Sequence, residues 1–128
     1  MIKPIQIAER TIGGEAPCFI AAEIGINHNG DLDLARDMVR AAVAAGADGV
    51  KFQNYSTEDF ISDRTLTYTY RSQGKEISES QWDMFRRYEL KPNWLASLSK
   101  LCESLGVVFF STPTSERGVR ELVELHTS

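Results

Sequence analysis

Polar side chains stand at the ends of three apolar runs. Glu23 follows Phe19-Ile20-Ala21-Ala22, Lys51 and Gln53 alternate with Val50 and Phe52, and Thr112 follows Val107-Val108-Phe109-Phe110-Ser111. A lysine between Val50 and Phe52, in a strand covered on both faces, is costly unless its charge is met. Three chemistries would meet it. Lys51 can form a structural ion pair with Glu23 or Asp48, act as a point charge for phosphate or carboxylate, or form a Schiff base as the lysine of a barrel aldolase does. The periodic pattern does not separate the last two. Glu23, two residues before Gly25, is a candidate general acid or base whose pKa partial burial would tune, or else the partner of Lys51. His28 lies in the loop Gly25-Ile26-Asn27-His28-Asn29-Gly30 and reads first as a solvated or capping residue. One histidine cannot make a metal site, and His126 stands near the chain's end. The Gly25/Gly30 loop matches neither the dinucleotide fingerprint nor the P-loop.

The elements that must position these residues alternate. Phe19–Ala22, ending at Glu23-Ile24-Gly25, reads as a buried strand. Asn29-Gly30-Asp31 is a turn, and Asp31 or Asp33 can cap a helix whose face is Leu34, Met38, Ala41, Ala42 and Ala45, stopped by Gly46. Asp48–Gln53 is a second strand, and the small residues of the helix let it lie close to the sheet. Residues 54–77 are polar and irregular. Ser78-Glu79-Ser80-Gln81 resembles a capping box ahead of Trp82, Phe85 and Tyr88. Pro92 suits the first turn of a further helix with a stripe of Trp94, Leu98, Leu101 and Leu105, ended by Gly106. Val107–Phe110 is the third strand, and Ser115 can cap a last helix carrying Val119, Leu122 and Val123.

Strands separated by helices predict an α/β fold with a parallel sheet, either doubly wound or part of a (β/α)8 barrel. Ligands bind such sheets at the C-terminal edge of the strands. Phe19, Ala21 and Glu23 share one face of the first strand, Lys51 and Gln53 oppose Val50 and Phe52 on the second, and Val108, Phe110 and Thr112 share a face of the third. One side of the sheet can therefore carry Glu23, Lys51, Gln53 and Thr112 together. Three strand–helix units cannot close an eight-stranded barrel. The stop after the third helix, at His126-Thr127-Ser128, predicts a truncated chain or one completed by another polypeptide.

The net charge of -4 gives no basic footprint, so nucleic acid is not the expected partner. No apolar run approaches the roughly 20 residues that span a bilayer. The start Met1-Ile2-Lys3-Pro4 lacks the apolar core of a signal peptide, which predicts a cytoplasmic protein. Cys18 and Cys102 each sit in apolar surroundings and read as buried free thiols.

Three stretches together carry a family resemblance. Ala22-Glu23-Ile24-Gly25-Ile26-Asn27-His28-Asn29-Gly30-Asp31 resembles the opening signature of the N-acetylneuraminate (sialic acid) synthases. Ala45-Gly46-Ala47-Asp48-Gly49-Val50-Lys51-Phe52-Gln53 resembles their second-strand motif, and Phe109-Phe110-Ser111-Thr112-Pro113 their third. The likeness runs from about Pro17 to Leu125, in order. It implies that residues 1–128 are the N-terminal part of a (β/α)8 TIM-barrel domain. It implies, too, a homodimeric enzyme in which an antifreeze-like C-terminal domain follows the barrel, and the expectation is that this domain is absent from residues 1–128. It implies condensation of phosphoenolpyruvate with an N-acyl hexosamine such as N-acetylmannosamine, with release of phosphate. A divalent metal (Mn, Mg or Co) would polarise the sugar aldehyde. Its histidine ligands come from later strands, so no metal ligand is expected in this chain. The family forms no Schiff base, which leaves Lys51 as an anion-binding residue.

By position, Lys51 and Thr112 resemble the family's phosphoenolpyruvate contacts and Gln53 a sugar contact. Glu23 resembles the acid near the reacting centre, and Asn27 and His28 line the site in the signature loop. Legionaminic, pseudaminic and spore-coat-polysaccharide synthases share these motifs, and residues 65–75 transfer least. Two further expectations stand beside the synthase: a non-catalytic fragment that folds by association, and a Schiff-base aldolase.

Overall fold

The computed structural model describes residues 3–127, with side chains through Leu125. The expectations placed on the chain's end and on His126 lie outside the described side chains. A short antiparallel hairpin comes first, β1 (Ile5–Ile7) and β2 (Arg10–Ile12). The alternating core follows: β3 (Ala21–Gly25), α1 (Leu32–Ala44) and β4 (Gly49–Asn54). The excursion after β4 comprises α2 (Thr57–Phe60), β5 (Thr67–Ser72), β6 (Lys75–Ser80) and α3 (Gln81–Tyr88). The chain then forms α4 (Pro92–Ser104), β7 (Val108–Pro113) and α5 (Glu116–Thr127).

The central sheet has the order β3-β4-β7, all parallel, as the alternation of strands and helices predicts. One face is covered. Ile24, Val50, Phe52 and Phe109 meet Ala35 and Val39 of α1 and Leu95, Leu98 and Cys102 of α4 in a single buried cluster. Phe52 and Phe109 stack there with centroids 5.8 Å apart. Arg36 of α1 reaches Ser97 of α4 (2.9 Å) and ties the two helices together.

Several helix boundaries match their sequence signals. The Asp31 side chain accepts N–H bonds from Asp33 and Leu34, and Pro92 opens α4. Gly46 and Gly106 follow the two long helices at φ 88° and 72°, in the left-handed conformation that favours glycine. The buried stripes are rotated from those expected. In α1 the deepest residues are Ala35 and Val39, while Leu34 is exposed. In α4, Trp94 and Leu98 are buried as expected and Leu101 packs on the core, but Leu95 and Cys102 join them and Leu105 is exposed. In α5, Leu122 packs on the core while Val119 and Val123 remain largely exposed. A helix face about 100° wide admits neighbouring registers, and the contact with the sheet selects among them.

Three further expectations are corrected. Residues 54–77 are not irregular: they contain α2 and the β5–β6 hairpin, whose two-residue turn is Gln73-Gly74 with both φ positive. That is the turn geometry whose twist suits a hairpin. The helix after it is capped by Ser80, which accepts the N–H of Asp83, while Ser78 and Glu79 belong to β6. Cys102 is buried as expected, but Cys18 is exposed. The first parallel strand begins at Ala21, so Cys18 lies on the approach to the sheet and not within it.

The loop after β3 lies against α3. Gly30 has φ 74°, and a Cβ there would overlap the backbone carbonyl oxygen of Arg87. Gly46 also has a positive φ, yet a Cβ there meets nothing. Gly46→Ala is expected to cost only the conformational penalty, roughly 1–2 kcal/mol. Gly30→Ala should cost clearly more, because backbone must move. Urea unfolding of both variants measures the difference, and equal losses would show that the loop is not held against α3.

Candidate functional site

Among the described residues no helix packs on the sheet's other face, and the polar residues gather there. In the register, Glu23 lies beside Lys51, Lys51 beside Phe110, and Gln53 beside Thr112. Parallel neighbours in register point to the same side, so the four residues predicted to share a face do share it. A shift between Glu23 and Gly25 breaks the ladder. Strand alternation puts Ile24, like Ala22, on the core side while Glu23 stays on the open side.

Lys51 Nζ lies 2.7 Å from Glu23 Oε2. The side chains are 30% and 52% exposed, so the pair is half in water. Of the two partners read for Lys51, Glu23 is the one found. Asp48 instead accepts the backbone N–H of Ile20 (2.9 Å) and pairs with Arg10 (3.3 Å), tying the β1–β2 hairpin to the sheet. Gly25, at φ 56°, leaves space beside the pair. A Cβ there would stand 3.1 Å from Glu23 Oε1 and 3.6 Å from Gln53 Nε2. Carboxylate and amide therefore converge over a residue without a side chain.

The floor below is apolar and tight. Phe19 and Phe110 meet edge to face at 5.9 Å. A Cβ on Gly49 would lie 2.7 Å from the Phe110 ring and 3.1 Å from that of Phe19. A hollow of about 340 Å³ opens here, lined by Ile7, Phe19, Ala21, Lys51, Phe110 and Thr112 among others. A cation, a carboxylate, an amide and a hydroxyl thus stand over an aromatic floor. Such an arrangement can bind an anion at Lys51, hydrogen-bond a neutral polar group at Gln53 and exchange a proton at Glu23.

The signature-loop residues fall elsewhere. Asn27 stays exposed and donates its side-chain amide to the Ile24 carbonyl (2.9 Å). His28 is fully buried, which corrects its reading as a solvated residue. Its ring packs on Phe52 and Trp94, on the opposite side of the sheet from Lys51. Burial lowers its pKa below the ordinary 6.5. Among the described residues, no three His, Cys, Asp or Glu side chains gather in a group that could hold a metal ion. No helix of the described residues is long and apolar enough to cross a membrane.

Sequence reasoning passed over Asn54. It is buried and donates to the Gly118 carbonyl (3.4 Å) and to Glu121 Oε2 (3.1 Å), joining the end of β4 to α5. A separate cavity of about 160 Å³ opens beside it, near Tyr55, Glu89, Arg117 and Glu121. Its charges are already engaged. Glu89 accepts the N–H of Thr57, and Arg117 pairs with Asp59 (3.1 Å). The open face is therefore the better candidate. The signal for Asn54 was its place as the next polar residue after Gln53, on the alternate face.

Comparison with known proteins bears on the family and the fold. The profile of the NeuB family matches residues 38–128. N,N'-diacetyllegionaminic acid synthase of Legionella pneumophila is 38% identical over 113 residues, covering 88% of this chain and 32% of that protein. N-acetylneuraminate-9-phosphate synthase of Homo sapiens is 38% identical over 120 residues, covering 91% and 32%. This chain therefore spans less than half the length of these curated relatives. The crystal structure of N-acetylneuraminic acid (sialic acid) synthetase from Leptospira borgpetersenii, in complex with citrate, superposes with a TM-score of 0.79. It is 28% identical, over 96% of this chain and 38% of that one. Spore coat polysaccharide biosynthesis protein SpsE from Bacillus subtilis gives a TM-score of 0.71 at 33% identity, over 97% and 31%. A family profile over residues 38–128 and relatives 38% identical over most of its length show that this chain belongs to the NeuB family.

Proposed function

We propose that this chain supplies the opening three strand–helix units of a (β/α)8 synthase. That enzyme would join phosphoenolpyruvate to an N-acyl hexosamine, forming a sialic-acid-type sugar acid and releasing phosphate. Family membership supports the reaction class. The observation that carries the site is the Lys51–Glu23 pair at 2.7 Å on the uncovered face, with Gln53 and Thr112 in register beside it.

In this reading Lys51 and the Thr112 hydroxyl receive an anionic group of phosphoenolpyruvate, and the Gln53 amide meets a hydroxyl or N-acyl group of the sugar. The C3 carbon of phosphoenolpyruvate attacks the sugar aldehyde, water adds at C2, and phosphate leaves. Glu23 lies close enough to this centre to move a proton, and it would share Lys51 with the incoming anion. The family resemblance also implies a divalent metal. Among the described residues no group of three His, Cys, Asp or Glu side chains could hold it.

The Schiff-base alternative has a specific obstacle: Lys51 Nζ is already engaged by the Glu23 carboxylate at 2.7 Å. Borohydride trapping with pyruvate should therefore leave the chain unlabelled.

The chain alone, with phosphoenolpyruvate, N-acetylmannosamine and manganese, is expected to release no phosphate, since it offers no metal site among its described residues. Turnover at an ordinary enzyme rate, about 1–1000 per second, would overturn the proposal of a partial site.

In the complete synthase, Lys51→Ala should weaken phosphoenolpyruvate binding by roughly 10- to 150-fold, the loss typical of a charge-assisted contact of about 1.5–3 kcal/mol. Sugar binding should change little. Gln53→Ala should show the opposite selectivity. Because the Lys51–Glu23 pair is half exposed, its loss should lower stability by no more than about 1 kcal/mol. Separate titrations with each substrate, together with melting curves, test both halves. Intact phosphoenolpyruvate affinity with a large fall in melting temperature would make Lys51 a structural cation.

A further inference from the structure

Three buried side-chain polar atoms among the described residues have no hydrogen-bond partner: His28 Nε2, Thr57 Oγ1 and Ser111 Oγ. Of these groups only the imidazole can take up a proton near neutrality. Its other nitrogen, Nδ1, accepts the backbone N–H of Gly30 at 3.1 Å. That bond requires an unprotonated Nδ1, so the ring is neutral and carries its proton on Nε2. The ring lies 6.2 Å, centroid to centroid, from both Phe52 of β4 and Trp94 of α4.

Charged groups on the surrounding elements offer no compensation. At the N-cap of α4, Lys91 sits over the Trp94 ring and would repel an imidazolium. On α3, Arg87 presents its backbone carbonyl to Gly30, while its guanidinium is taken by Glu79. In the loop, the Asp31 carboxylate accepts the N–H groups of Asp33 and Leu34. On β4, Lys51 faces the other side and is paired with Glu23. A proton added at Nδ1 would face the Gly30 N–H donor to donor, in an apolar pocket.

We propose that His28 is an acid-released latch for the loop from Gly25 to Asp31. Neutral, it holds Gly30 against α3 beneath the end of β3. Protonated, it gives up the Gly30 N–H and leaves the core, and the loop comes free. The inference does not depend on which substrate the open face binds.

The sign follows from the buried neutral ring. The unfolded or released imidazole titrates near 6.5, and the latched one lower. Latching is complete above that pH and is lost as pH falls below it, by up to tenfold per pH unit for one proton.

The test is amide hydrogen exchange at Gly30, corrected for the intrinsic rate, between pH 8 and pH 5. The chain has two histidines, so a His126→Gln background leaves one imidazole to follow by NMR. The opening equilibrium at Gly30 should be flat above pH 7. It should rise by up to about tenfold per pH unit on acidification below about 6.5. His28→Asn places an amide oxygen near the position of Nδ1 and cannot titrate, so its exchange should be independent of pH. Asp31→Asn should keep the wild-type response, which separates the latch from the helix cap. An imidazole that titrates near 6.5 while Gly30 protection stays constant would overturn the proposal. So would an acid response preserved in His28→Asn. If that variant fails to fold, the titration of the unsubstituted His28 decides alone.

Discussion

The parallel register of β3, β4 and β7 is the constraint on which the rest depends. It sets Glu23 beside Lys51 and Gln53 beside Thr112. Side chains alternate with a period of two, so a slip of one residue in β4 would exchange its faces. Lys51 and Gln53 would then enter the core against Leu98 and Val39, and Phe52 would stand in water. The packed face excludes that slip. Val50 and Phe52 are fully buried, and Phe52 stacks on Phe109 of the neighbouring strand. The hydrophobic side of the sheet thus holds the polar side in place, although no residue of its apolar cluster lines the hollow.

Glycines make room where this arrangement crowds. Gly49 sits where Phe19 and Phe110 meet, and any side chain there would separate the rings that floor the hollow. Gly25 turns β3 out of register just as Glu23 reaches the open side, and leaves space under the carboxylate and the Gln53 amide. Gly30 brings the following loop onto α3, which also holds the β5–β6 hairpin through the Arg87–Glu79 pair at 2.7 Å. The loop after β3 and the hairpin after β4 are therefore anchored on one short helix.

Legibility in the sequence followed the strength of local signals. The three parallel strands were readable because each is a short apolar run closed by polar residues. The alternation of Lys51 and Gln53 with Val50 and Phe52 was enough to predict the shared face. The hairpin was missed because its strands, Thr67–Ser72 and Lys75–Ser80, are polar on both faces and largely exposed. With no buried side to set an apolar period, its remaining signals were the Thr and Tyr content of β5 and the Gln73-Gly74 turn. His28 was misread for the opposite reason. A polar residue in a glycine-bounded loop looks solvated, and its burial comes from Trp94, 66 positions away in the chain and visible only in three dimensions. The rotated stripes of α1, α4 and α5 have a similar origin, since helical period alone does not say which part of a broad apolar arc meets the sheet.

The exposure of the Lys51–Glu23 pair bears on why it is there. A half-solvated pair adds little to stability, because water screens the attraction and two long side chains must be held in one geometry. Fold stability is therefore a poor reason for a lysine between Val50 and Phe52 on a face otherwise floored by aromatic rings. The same pair becomes consequential when the face is covered, since charge interactions strengthen as water leaves. Covering it without a ligand would bury two charges whose mutual attraction must offset the loss of hydration of both. Covering it with an anion present gives Lys51 a second negative partner beside Glu23, so that one cation serves two acceptors as water leaves. That sharing needs Glu23 and Lys51 as direct neighbours on adjacent parallel strands, which is the placement the register enforces.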